Sequence, residues 1–228
     1  MSSAPPGLVI FDCDGVLVDS EPIANRVLGR MLAEQGWALD EAQLDELFLG
    51  RTMAHCLALV AERLGRPLPA GFRAEHDRRL FDALAAELVP VPGVEQVLDG
   101  LATPSCVASN GGPDKLRFSL AQVGLLPRFE GRVFSAAEVA CGKPAPDLFL
   151  HAARCMGVAP AACVVVEDSP AGVLAGLAAG MTVLGFAART PPARLHEAGA
   201  HQVFSAMSRF PHLAGMQMRA WAGRAGSP

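Results

Sequence analysis

The chain is short of several things, and each shortage closes off a class of function. Basic residues are not in excess. Nineteen Lys and Arg stand against 23 Asp and Glu for a net charge of −4, so nothing argues for a nucleic-acid surface. No apolar run approaches the roughly 20 residues of a membrane-spanning helix. The start MSSAPPG lacks the charged head and apolar stretch of a signal peptide. The six cysteines, Cys13, Cys56, Cys106, Cys141, Cys155 and Cys163, contain no C-x-x-C pair. Without a leader they read as reduced thiols of a cytoplasmic protein rather than disulfides or zinc ligands. Internal repeats are absent. So is the G-x-x-x-x-G-K-[ST] of a P-loop, and neither ASNGG nor EDSPA fits the G-x-S-x-G of a serine hydrolase.

What is there is globular. The 228 residues are 51% hydrophobic and 18% charged, ample for one large domain or two small ones with a buried core. The run GLVIF (7–11) reads as a buried strand. From about Ser20 to Leu88 apolar residues recur at helical spacing with charges between them. Glu21-Pro22 is a helix start, and Gly36, Gly50 and Gly65 are stops. After PVPG (90–93) short Val-rich runs alternate with helical ones: SCVAS, DKLRFSLAQVG, RVFSA, PDLFLHAARCMG, ACVVVED, AGVLAGLAAG and MTVLGF. Such alternation predicts an α/β protein with a parallel sheet, interrupted after its first strand by a helical block. The strands are nearly all apolar, as parallel strands covered on both faces must be.

In an open parallel sheet, ligands bind beyond the carboxyl ends of the strands. Asp12-Cys13-Asp14 follows the first strand, Ser109-Asn110-Gly111-Gly112 the second, Lys143 the third, and Glu167-Asp168-Ser169 the fourth. A lone Ser after a strand is ordinarily the N-cap of the next helix, which is the plain reading for Ser109 or Ser169. The pair Asp12 and Asp14 is harder to dismiss. Residues two apart on a strand point the same way, and two close carboxylates repel unless a cation or proton lies between them. Asp168 adds to the crowding. Mg²⁺, a hard ion that takes one or two carboxylates plus phosphate oxygens, resolves the conflict, and Lys143 supplies further positive charge.

FDCDGVLVDSEP, VASNG, GKPAPD and VVVEDSPAG together resemble the four ordered motifs of the haloacid dehalogenase-like phosphatases, in the variety with a helical cap inserted after the first strand. The resemblance spans residues 7–186 and is strongest to 6-phosphogluconate phosphatase-like members. It implies a Rossmann-like core of residues 1–19 and 89–228 and a cap of residues 20–88. It also implies a Mg²⁺-dependent phosphatase acting on a small phosphorylated metabolite, a sugar phosphate or phosphosugar acid, as a monomer. Asp12 would be the nucleophile and Asp14 the general acid and base. Asp12, the backbone carbonyl of Asp14 and Asp168 would hold Mg²⁺, with Glu167 close by. Ser109, Asn110 and nearby backbone N–H groups would bind the phosphoryl oxygens, and Lys143 would pair with their charge and with Asp12. Asp19, Ser20 and Glu21 would lie at the hinge into the cap or simply cap a helix. Arg51, in the cap loop FLGRTMAH, would meet an anionic group of the substrate or stand as a solvated surface residue. The remaining histidines show no metal-ligand spacing and read as structural or surface groups.

Other readings fit less well. A receiver domain needs an aspartate after its third strand, and RVFSAAEVA has none. A true dehalogenase lacks the acid at Asp14 and needs no metal. The alternative closest in kind is a phosphosugar mutase. β-Phosphoglucomutases carry a histidine where this chain has Ala24 and a lysine where it has Leu49, so both positions favour hydrolysis.

Overall fold

The computed structural model of the chain describes residues 6–48 and 53–213. Six strands, β1 (Leu8–Phe11), β2 (Ser105–Ser109), β3 (Val133–Ser135), β4 (Cys163–Glu167), β5 (Thr182–Phe186) and β6 (Gln202–Phe204), form one sheet in the order β3-β2-β1-β4-β5-β6. Every neighbouring pair is parallel. Between β1 and β2 come α1 (Glu21–Glu34), α2 (Glu41–Phe48), α3 (Met53–Leu64), α4 (Phe72–Glu87) and α5 (Val94–Gly100). Single helices then follow each later strand: α6 (Pro113–Gln122), α7 (Asp147–Cys155), α8 (Pro170–Ala178), α9 (Pro192–Glu197) and α10 (Phe210–Leu213).

This is the α/β architecture that the strand–helix alternation predicts. Strand β6 and helices α5, α9 and α10 are additions to that reading. Each is three to seven residues long, too short to carry a readable period.

Alternation along the strands divides the core. Val9 and Phe11 join Val107, Val164, Val166 and Leu184 on one face of the sheet. Leu8 and Ile10 join Cys106, Val165 and Val183 on the other, under Leu148 and Phe149 of α7 and Val173 of α8. The first cluster continues without a break into the helical block through Leu28, Leu32 and Leu84. Helices α1 and α4 pack against each other there. None of the six cysteines forms a disulfide. Among the described residues no helix is long and apolar enough to cross a membrane.

Candidate active site

Strand register assembles the site. Phe11 pairs with Val107 on one side and Val166 on the other, so the next residue, Asp12, falls between Ala108 and Glu167. Lys143 reaches all three strands from the loop after β3. Its Nζ donates to Asp12 Oδ1 at 2.6 Å, to Glu167 Oε1 at 2.6 Å and to the Ala108 carbonyl at 2.8 Å. An ammonium has three donors, and all are used. The group also sits 4.7 Å from the Phe149 ring centroid. Burial works against its charge, but Asp12 and Glu167 outweigh that and raise its pKa.

Asn110 holds this lysine by the backbone. Its Nδ2 donates to the Lys143 carbonyl at 3.0 Å and its Oδ1 accepts from the Lys143 N–H at 2.9 Å. The side chain expected to bind phosphate thus also positions Lys143. Ser109 is buried and accepts from the Gly111 N–H at 3.3 Å, while Gly112, not Ser109, occupies the N-cap of α6. Ser169 does cap α8, accepting from Gly172 N–H, and its own N–H and Oγ both donate to Glu167 Oε2.

Asp12 and Asp14 do not converge by strand alternation, because β1 ends at Phe11. A turn through Gly15, at φ +76°, carries the chain past Asp168, and a Cβ on that glycine would lie 2.0 Å from Asp168 Oδ2. The repulsion expected between the two aspartates is met by a lysine. Lys115 Nζ donates to both oxygens of Asp14 at 2.7 Å, and Ser20 Oγ donates to Oδ1 as well. Ser20 thus heads α1 without capping it. Asp19 takes a two-pronged bond from Arg189.

The acids that crowd together are Asp12, Glu167 and Asp168, each offering an oxygen within 4.8 Å of the others. The carboxylate of Asp14 lies outside this cluster. Lys143 bonds to two of the three but brings only one positive charge, and no hydrogen bond or ion pair among the described residues reaches the Asp168 carboxylate. Burial, then the charges of Glu167, Asp12 and Glu21, push Asp168 well above the usual carboxylate range. Burial pushes Asp12 up to about 7, with Lys143 opposing it and Glu167 and Asp14 adding to it. Asp14 goes the other way. Burial would raise it, but Lys115 and Ser20 hold it below its ordinary value. A divalent cation fits here, since the three carboxylates, when ionised, leave two negative charges beyond the one that Lys143 balances.

These groups line a cavity of about 670 Å³ roofed by the helical block, whose Ala24, Asn25 and His76 face the catalytic edge. Arg51 and Leu49 lie outside the described residues. Lys115, also in the lining, was given no role by sequence reasoning. Lys115 had a signal, because a cation in the first turn of a helix opposes the dipole unless an anion meets it. Glu21 was read as a hinge or cap residue. Burial and the Asp14 charge push it up to about 7.

Residues 6–180 match the haloacid dehalogenase-like hydrolase family. The chain belongs to that family. It is 37% identical over 185 residues to the 6-phosphogluconate phosphatase of Escherichia coli (strain K12), covering 79% of this chain and 82% of that protein. A solved haloacid dehalogenase-like protein of unknown function from Agrobacterium tumefaciens strain C58 superposes with a TM-score of 0.83 at 39% identity, covering 91% and 96% of the two chains. A HAD family hydrolase from Deinococcus radiodurans R1, solved with bound phosphate and sodium, has a TM-score of 0.79 at 33% identity, covering 92% and 96%. The chain is accordingly a hydrolase with the parallel-sheet core and flanking helices of this family.

Proposed function

We propose that this protein is a Mg²⁺-dependent phosphatase that hydrolyses a small sugar phosphate or phosphosugar acid through an aspartyl-phosphate on Asp12. One observation carries the reading: Lys143 clamps Asp12 Oδ1 while Oδ2 takes no bond from any described residue, beside an Asp168 whose carboxylate has no ion-pair partner among them. That is a nucleophile oriented by a cation, next to a place for a second cation.

Asp12 Oδ2 attacks phosphorus and the leaving oxygen departs with a proton from Asp14. Asp14 then takes a proton from water as that water attacks the aspartyl-phosphate and regenerates Asp12. Asp14 is held ionised by Lys115, which suits the second step. An incoming phosphoryl dianion competes with Asp14 for the Lys115 ammonium and so raises Asp14 toward the protonated form that the first step needs. Mg²⁺, held by Asp12, Asp168 and the Asp14 backbone carbonyl, would offset charge on the transferring phosphoryl group. Glu167 orients Lys143, and Ser109 with the backbone N–H groups after it would receive the phosphoryl oxygens. The size of the cavity, and a relative named for 6-phosphogluconate, support a small polyhydroxylated leaving group under a helical cap of residues 20–88.

Ala24 lines the cavity and can donate no proton, which supports hydrolysis over mutase chemistry. The test is inorganic phosphate release from a panel of phosphorylated metabolites, with and without Mg²⁺. One arm supplies β-glucose 1-phosphate with a trace of the bisphosphate. Phosphate should appear without glucose 6-phosphate. Faster accumulation of glucose 6-phosphate than phosphate would make the protein a mutase.

A further inference from the structure

Helix α4 buries Phe72, His76, Leu80 and Leu84 at four-residue spacing, one face of a helix. The histidine holds a place in that stripe where packing alone would favour another apolar residue. It is 1% exposed, yet it faces the same cavity as Asp12 and Lys143.

Its hydrogen bonding is half complete. Nδ1 lies 3.2 Å from Asp77 Oδ1, and the same carboxylate accepts from Arg73 Nε at 2.8 and 2.7 Å. A carboxylate held by an arginine accepts and does not donate, so the hydrogen of the imidazole sits on Nδ1 and Nε2 keeps its lone pair. Burial lowers the pKa of the ring and keeps it neutral, with Asp77 opposing. Nε2 has no partner among the described residues. A buried acceptor left unpaired in a native structure is rare and needs a donor from elsewhere. Asn25, which lines the same cavity, directs Nδ2 to Asp45 and makes no bond to Nε2.

We infer that His76 Nε2 accepts a hydrogen from a hydroxyl of the leaving group, making His76 a specificity-determining residue for a phosphorylated polyol or sugar acid. The inference rests on the phosphatase reading and deepens it. Asp12, Asp14 and Lys143 select the phosphoryl group, while His76, on the roof of the cavity, reads what the phosphate is attached to. Because the bond is made to a non-reacting part of the substrate, it contributes equally to ground and transition states and belongs in KM rather than kcat.

The experiment compares wild type, His76→Phe and His76→Gln on three esters in Mg²⁺: 6-phosphogluconate, sorbitol 6-phosphate and phenyl phosphate, which has no hydroxyl to donate. Phe extends the apolar stripe of α4, and Gln offers an amide oxygen near the place of Nε2. Thermal midpoints report whether each variant is folded. In His76→Phe, KM for a hydroxylated ester should rise about 10-fold with kcat little changed, the worth of one neutral hydrogen bond. Phenyl phosphate should be turned over within about twofold of wild type, and Gln should recover most of the loss. An equal loss on all three esters would mean His76 only packs, and no change on any would mean it meets water alone. Either result overturns the inference. Wild type that hydrolyses phenyl phosphate but neither polyol ester also overturns it, leaving the phosphatase reading intact. Wild type that hydrolyses none of the three overturns that reading first.

Discussion

Replacing Lys143 by methionine separates the charge at the centre of the site from the volume it fills. The native ammonium is the only cation bonded to Asp12 and Glu167 among the described residues, and the three side chains are 4%, 10% and 1% exposed. Methionine is unbranched and apolar and can keep the contact with the Phe149 ring. Two buried carboxylates would then face one another with no cation between them, although Glu167 keeps its bonds from Ser169. Removing one partner of a buried ion pair costs about 3–5 kcal/mol, a large share of the roughly 5–15 kcal/mol that holds a domain folded. The cost should depend on pH. Asp12 already has a folded-state pKa above its unfolded one, and losing Lys143 removes what opposes that rise, so the folded protein keeps a proton that the unfolded chain has released. The penalty is therefore absent below the unfolded range near about pH 4 and complete above the folded pKa. That value already stands at about 7 for Asp12 with the lysine present. Urea unfolding of wild type and Lys143→Met, in chelator at about pH 5 and about pH 8, reads both effects. The deficit should be about 3–5 kcal/mol at the higher pH and less than half of that at the lower one. Adding Asp12→Asn to the variant should recover part of it. A deficit below about 1 kcal/mol at high pH, or one equal at both, would refute this account of the site.

Asp12→Asn alone should fold normally and lose phosphate release by on the order of 10⁴-fold or more, since the nucleophile is gone. Substantial turnover by that folded variant would remove Asp12 from its role. Chelation should abolish turnover and Mg²⁺ restore it, with Ca²⁺ a poor substitute because its looser coordination misplaces the attack. A chelated enzyme of undiminished activity would end the metal reading. Glu21→Gln should stabilise the metal-free protein. Burial and the Asp14 charge raise Glu21 from 4.5 to about 7, so its cost is absent below the unfolded value and complete above about 7. The variant should exceed wild type by about 3 kcal/mol near pH 8 and match it below about pH 4.5, measured by urea unfolding.

The fold was legible in the chain because its signals are local. Four-to-six-residue apolar runs, each followed by a helical period, specify parallel strands and their crossovers, and the acids and hydroxyls just beyond them were readable as strand-end groups. The short terminal elements were not, since three residues of β6 or four of α10 carry no period of their own.

The pattern along the chain is enough to say which residues reach the strand-end edge of the sheet: Asp12, Asp14, Ser109, Asn110, Lys143, Glu167 and Asp168 all line its cavity. Which of them touch is a matter of packing. Asp14 meets Lys115 across 101 residues, Asp12 meets Lys143 across 131, and Asn110 holds the Lys143 backbone from the cavity wall. A carboxylate's partner depends on distances of a few ångströms, set by strand register and by how a helical block settles on the sheet. The pattern of residues along the chain contains neither. For the same reason His76 read as one more structural histidine. Its four-residue spacing with Phe72 and Leu80 marks a core position, and only the packed structure leaves its Nε2 without a donor at the wall of the site.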